Sequence, residues 1–415
     1  MMDWKSFKKA GHPLTLFAAF LHFDICFMVW VLIGALGVFI SQDFHLTPAQ
    51  KGLLTAIPLL GGALTRIPVG FLADRLGTKR VGLALLGVVC IPLVWGWLAA
   101  GSYPQMLALG LLLGVAGSSF AVALPMASRW YPPEHQGLAM GIAGAGNSGT
   151  VLATLFAPRL AKAYGWHSVF AVALGVVFVT TGLFALLSKE PPRAGKRQSV
   201  AEMFSVFKQL DCLWFCIVYS VTFGGFVGFA SFLSIFFFDQ YGISKIAAGN
   251  FTALCVFSGS FFRPVGGYLS DRWGGDRVLR GLMVSLLMCL GFLGFLPPLP
   301  VAATLFFLLM GSLGMGNGSV FQLVPQRFAK EIGLMTGIVG AAGGLGGFFL
   351  PTLLGAIKGK TGSFGPAFWI LCLFVIAAFA ALFQVKRGIK QYRLRNVLPQ
   401  GPLELVPVRE ESVPC

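Results

Sequence analysis

Long apolar runs separated by short polar gaps set the architecture of this chain. A spanning helix takes about 20 mostly apolar residues. Runs of that kind fall at residues 14–40, 52–73, 81–100, 104–128, 138–161 and 167–188. After a polar gap they resume at 211–238, 245–270, 278–297, 300–324, 333–357 and 364–385. The pattern predicts an all-α membrane protein with twelve transmembrane helices in two sets of six. The first run is too long for the apolar core of a signal peptide, carries Asp24 in its middle and lacks a small-residue cleavage site after it, so it reads as a retained helix and the mature chain as starting near Met1.

The gap between the two sets holds Pro191, Pro192, Arg193, Lys196, Arg197 and Lys208, the composition of a linker. The expected organisation is an N-terminal six-helix bundle over 1–188, a cytoplasmic linker over 189–210, a C-terminal bundle over 211–385 and a loosely ordered cytoplasmic tail over 386–415. At 56% hydrophobic and 11% charged residues, the chain has a balance that no soluble domain of its length keeps in solution.

The formal charge of +16 raises the question of nucleic acid, and the placement of the 31 Lys and Arg answers it. With the N-terminus inside and residues at the ends of runs counted with the adjoining loops, 23 lie in the terminal segments and loops of the cytoplasmic side, 6 in the opposite loops and 2 deep inside helices. This is positive-inside asymmetry, so the charge reports topology and contact with anionic membrane lipid. No nucleic-acid partner is expected. The chain reads as a multi-pass protein of the cytoplasmic (inner) membrane with both termini cytoplasmic, and as a monomer. Of the eight cysteines, Cys26, Cys90, Cys216, Cys255, Cys289 and Cys372 lie within apolar runs, Cys212 at the edge of one and Cys415 at the end of the tail; none has metal-ligand spacing, and no metal or other cofactor is expected.

The two sets of helices are duplicates. The second run reads RIPVGFLADRLG from Arg66 and the eighth RPVGGYLSDRWG from Arg263, with Arg66, Gly70, Leu72, Asp74, Arg75 and Gly77 matching Arg263, Gly267, Leu269, Asp271, Arg272 and Gly274 at one constant offset of 197. The fifth run, GIAGAGNSG from Gly141, and the eleventh, GIVGAAGGLGG from Gly337, match at 196. The segment with Gly70, Leu72, Asp74, Arg75, Gly77, Lys79 and Arg80 resembles the cytoplasmic loop motif of the major facilitator superfamily. That resemblance implies two pseudo-symmetric bundles rocking about a midplane site. It also implies a conformational latch at Asp74, Arg75, Asp271 and Arg272, with Asp74 contacting a neighbouring helix terminus.

Arg66 lies 14 residues into its run, about 21 Å along a helix, which puts it near mid-bilayer. The repeat brings Arg263 to the same depth across the central axis. Burying each guanidinium costs roughly 2.5–3.5 kcal/mol on insertion scales, and the like charges add repulsion. Asp24 is the only acid found inside any run away from its ends, and one carboxylate cannot neutralise both arginines. A small anion is expected to complete the arrangement, since arginine keeps its charge and offers a planar fork of donors that matches a planar oxyanion.

The glycines Gly141, Gly144, Gly146, Gly149, Gly337, Gly340, Gly343, Gly344, Gly346 and Gly347 let helix backbones approach closely and imply a slim pore. Asn147 among them offers an amide donor without charge. Asp24 could couple transport to a proton, stand as a fixed counter-charge or make a plain polar contact, and His22, roughly 200° around the helix, should face elsewhere.

GIAGAGNSG and GIVGAAGGLGG are similar to the paired glycine-rich signatures of nitrate/nitrite porters within that superfamily. YSVTFGGFVGF from Tyr219 and GNGSVFQLVPQRF from Gly316 share the likeness, which runs from about residue 14 to 388. The resemblance implies that Arg66 and Arg263 bind nitrate or nitrite, that Asn147 and Tyr219 donate hydrogen bonds to it, and that Phe120 and Phe223 pack against its faces. Aromatic walls would favour a flat, weakly hydrated anion. The expected function is secondary active transport of nitrate or nitrite by alternating access, as nitrate/nitrite exchange or nitrate-proton symport. A small organic anion such as formate or oxalate is the alternative substrate. A sensor without transport lacks any appended signalling domain, and no nucleophile, metal cluster or nucleotide loop points to an enzyme.

Overall fold

The computed structural model describes residues 7, 9–191, 209–328 and 332–397. Every regular element among them is helical. Among the described residues, nine runs are long and apolar enough to cross a membrane: Pro13–Asp43, Pro48–Leu76, Thr78–Leu98, Tyr103–Ser128, Trp166–Leu187, Leu210–Tyr241, Leu299–Val324, Met335–Thr361 and Gly365–Lys390. They stand at the first to fourth, sixth, seventh and tenth to twelfth predicted positions. Helices also occupy the remaining three: Pro133–Gly144 with Gly149–Tyr164 at the fifth, Lys245–Phe261 with Arg263–Trp273 at the eighth, and Gly275–Leu293 at the ninth. These three are broken or more charged. The fifth is interrupted by a 3₁₀ turn over Ala145–Ser148, the eighth holds Arg263, Asp271 and Arg272, and the ninth opens on Asp276, Arg277 and Arg280. Span numbers below follow this order.

Local chemistry explains several ends. Thr47 and Gln50 form a capping box at the start of the second span, followed by Pro48 at the first helical position. The last glycine of each duplicated loop motif, Gly77 and Gly274, has a φ of 101° and 88°, a backbone conformation closed to most side chains, and there the second and eighth spans stop. After Gly77 the Glu190 carboxylate accepts from the backbone N–H groups of Thr78 and Lys79, and Lys79 Nζ donates to the carbonyls of Ala185 and Ser188 at the end of the sixth span.

Two readings need correction. The twelfth span does not stop at 385; its helix, Gly365–Val397, continues through Lys386 and Lys390, so the first part of the expected tail is helical. The seventh span runs from Leu210 to Tyr241 and so carries Asp211 and Asp239 at its two ends, each paired with a cation, Arg327 and Lys51 respectively. Most of the expected linker, 192–208, and of the tail, 398–415, lies outside the described residues.

The halves meet chiefly along three helix pairs. The second span packs on the eleventh, where a Cβ on Gly52 would come 2.4 Å from the Pro351 carbonyl and one on Gly355 2.9 Å from Gly52 Cα. The first span meets the seventh at Gly34 and Ser231, and the fifth meets the eighth at Thr154 and Gly249. Lys51 and Asp239 join the second and seventh spans across this seam at 2.7 Å, at the end of the bundle away from the loop motifs.

Candidate functional site

Proline chemistry positions the two arginines differently in the two halves. In the eighth span Pro264 follows Arg263; lacking an N–H and pressing its ring on the turn before, it ends Lys245–Phe261 at Phe262, and Arg263 opens the next helix. In the second span Pro68 stands two residues after Arg66 and the helix continues through it. Both side chains are buried, Arg66 at 1% exposure and Arg263 at 8%.

Both guanidiniums lie over one ring. The Cζ atoms of Arg66 and Arg263 stand 5.5 and 5.9 Å from the centroid of Phe120. Arg66 is also 5.3 Å from Phe223 and 5.5 Å from Trp30, so aromatic faces hold its charge on several sides. Trp30 is itself fixed by its indole N–H, which donates to the Pro58 carbonyl at 2.7 Å. Tyr219 stacks on Phe223 at 5.1 Å with its hydroxyl beside Arg263, and Phe321 meets Tyr219 edge-on at 5.1 Å and Phe120 at 5.7 Å.

Neither arginine pairs with a carboxylate among the described residues. Arg66 instead donates through Nη2 to the Gly117 carbonyl at 2.6 Å and through Nη1 to the Gly340 carbonyl. Arg263 Nη1 lies 3.5 Å from the Gly144 carbonyl. Gly144 and Gly340 correspond in the repeat, so each arginine rests on the glycine-rich helix of the opposite half. The glycines differ in what they admit. A Cβ on Gly340 would meet Arg66 Cδ at 3.0 Å, one on Gly343 would meet Tyr219 at 2.7 Å, and one on Gly344 would meet Ala63 at 2.9 Å. On the fifth span, Gly146 and Gly149 lie against the Phe23–Asp24 backbone. Gly346 and Gly347 lie against the seventh span, whereas Gly141 and Gly337 face open space.

Asn147 is fully buried in the 3₁₀ turn of the fifth span, and neither amide atom has a partner among the described residues. Its backbone carbonyl accepts from Ser260 Oγ, one turn before Arg263. Asp24, at 6% exposure, does not contact either arginine as a salt bridge; its Oδ1 accepts from Ser148 Oγ at 2.5 Å. His22 turns to the Gly82 carbonyl at 3.3 Å, away from Asp24. Away from this centre, Asp74 pairs with Arg129, which caps the helix Phe120–Ser128 of the same half, while Arg75 and Arg272 lie over the rings of Phe71 and Tyr268 at 4.0 and 5.2 Å. Asp271 forms no ion pair among the described residues.

The structure thus brings Arg66, Arg263, Phe120, Phe223, Tyr219 and the two glycine-rich helices to one centre. Sequence reasoning missed Trp30, Ser148 and the carbonyls of Gly117 and Gly340. A backbone carbonyl has no signature in a sequence, and Ser148, next to Asn147, is one of many serines.

The Major Facilitator Superfamily model matches residues 18–351. The chain is 34% identical over 379 residues to the nitrite extrusion protein of Bacillus subtilis (strain 168), covering 89% of this chain and 94% of that one. It is 31% identical over 401 residues to a probable nitrate/nitrite antiporter, NarK1, of Thermus thermophilus, covering 89% and 90%. Among solved structures, a bacterial homologue of the human lysosomal transporter Spinster, inward-facing and unoccupied, superposes with a TM-score of 0.69 at 21% identity over 94% of this chain and 99% of that one, a likeness of fold.

Proposed function

The chain belongs to the nitrate/nitrite porter family of the Major Facilitator Superfamily, and from that premise we propose that it carries nitrate and nitrite across the cytoplasmic membrane by alternating access. In this reading the anion bridges Arg66 and Arg263. The observation that carries it is the pair of buried guanidiniums over the single ring of Phe120, each resting on the glycine helix of the other half. Each group at the centre then has its own role. The arginines supply charge and a donor fork, Asn147 and Tyr219 replace lost water, and Phe120 and Phe223 form the apolar walls.

Exchange of nitrate for nitrite is the coupling that this arrangement favours. Two fixed positive charges, without an ion-paired acid among the described residues, repel each other in a low-dielectric cavity until an anion offsets them. A return stroke that also carries an anion avoids that state. A specific observation favours a second coupling, proton symport: Asp24 bonds Ser148, the residue next to Asn147, so its charge state would be felt one residue from the proposed donor. Uptake of labelled nitrate and nitrite into liposomes, with the opposite anion inside or with a pH gradient imposed, separates the two. Transport that formate blocks and excess nitrate leaves alone would overturn the choice of substrate.

A further inference from the structure

The second half contributes a neutral donor that the resemblance to the porter family did not single out. Asn317, in the tenth span, is fully buried, and neither its Oδ1 nor its Nδ2 has a partner among the described residues. Burying an amide with donors and acceptor idle is costly, and such a group is retained where something else engages it.

The repeat locates it. Two contacts between the second and fourth spans recur between the eighth and tenth at the same offset of 197. Gly61 lies against Gly114 and Ser258 against Gly311; Gly70 faces Ala121 and Gly267 faces Gly318. By that register Asn317 occupies in the second half the place of Phe120 in the first, and Phe120 is the ring beneath both guanidiniums. Direct packing agrees. A Cβ on Gly318, the next residue, would come 2.3 Å from the Arg263 carbonyl. Phe321, one turn along the same helical face, packs on Tyr219 and Phe120.

We propose that Asn317 is a specificity-determining residue of the anion site, donating through Nδ2 to the oxygen of nitrate that the two arginines leave free. The inference rests on the transport reading above. Nearby, Thr222, whose methyl group is the nearest contact a Cβ on Gly316 would meet, also has a buried hydroxyl without a partner among the described residues. Nitrite has one oxygen fewer than nitrate, so it loses less when this donor is removed.

The test uses the full-length protein in liposomes, with initial rates of labelled nitrate and nitrite uptake for wild type and for Asn317→Leu, which keeps the size and removes the amide. The expected result is a nitrate KM raised about tenfold, as for loss of one hydrogen bond to a substrate oxygen, with the nitrite KM moved by less than about threefold. Equal changes for both anions, or an unchanged nitrate KM, overturn the inference, and a lowered melting temperature with unchanged KM values marks Asn317 as a packing residue only. Should the leucine variant fail to fold, Asn317→Ser, which keeps a donor too short to reach, is read by the same ratio. Wild type that takes up neither anion overturns the transport reading and this inference together, an outcome distinct from a wild type that transports and a variant that keeps its selectivity.

Discussion

Arg66 of the first half donates to the carbonyl of Gly340 in the second, and the repeat returns the relation, with Arg263 of the second half reaching the carbonyl of Gly144 in the first. Each guanidinium therefore bonds across to the other half, the one that would move relative to it in the proposed cycle. A planar fork suits that duty, because Arg66 serves Gly117 in its own half and Gly340 in the other at the same time.

Replacing either arginine by lysine removes the fork and keeps the charge. Arg66→Lys and Arg263→Lys should each lower nitrate counterflow by at least about 100-fold, the effect expected when a bidentate charged contact is lost. Melting temperatures in detergent should stay close to wild type. Full activity in either variant would count against the shared clamp.

Two glycines of the eleventh span, one turn apart, should answer differently to one methyl group. In Gly340→Ala the added carbon would stand 3.0 Å from Arg66 Cδ and 3.2 Å from Nη1, pushing the guanidinium from its place. Transport should fall by about tenfold or more, since small displacements of a positioned group are costly. Gly337→Ala meets nothing within 4 Å and should transport within about twofold of wild type, on the ordinary scale of surface changes. Equal losses in both, measured side by side by counterflow, would mean that general helix packing and not the arginine is at stake.

How much of this could be read from the chain alone differs by element. The duplicated Arg66 and Arg263, the matching loop motifs and the paired glycine runs were legible because side-chain identity carries them. So was the break at Phe262, in principle, from Pro264. The partners of Arg66 were not, because carbonyl oxygens belong to every residue alike and only the crossing of the second and eleventh spans selects Gly340. Asp24 was legible as an isolated acid, yet its bond to Ser148 depends on how closely Gly146 and Gly149 let the fifth span approach the first. The extension of the twelfth helix to Val397 was hidden because polar, basic residues suit a helix projecting from the membrane as well as a loose tail.

Asp24 offers a test of coupling. For an exchanger, a pH gradient should leave nitrate/nitrite exchange in proteoliposomes unchanged, and Asp24→Asn should retain it within about threefold, the scale of one modified polar contact. If wild type accumulates nitrate against its gradient when the outside is acidic, Asp24→Asn should abolish the accumulation and spare the exchange. Accumulation that survives the substitution would place the coupling elsewhere.

The pair Lys51–Asp239 should control how readily the halves part at that end. The groups are 17% and 16% exposed, and a partly exposed pair contributes on the order of 1 kcal/mol, about a fivefold bias between conformers. Lys51→Asp or Asp239→Lys alone should shift spin-label distances across the seam toward the open arrangement, and the double exchange of charges should restore them. A double variant as open as the singles would remove the pair from any gating role.

The clasp formed by Lys79 and Glu190 binds the beginning of the third span to the end of the sixth, so these two helices are fastened at one rim by charge placed on bare helix ends. A lever works only if its arm is stiff. In the transport cycle proposed above, the ends tied at that rim would move as one piece.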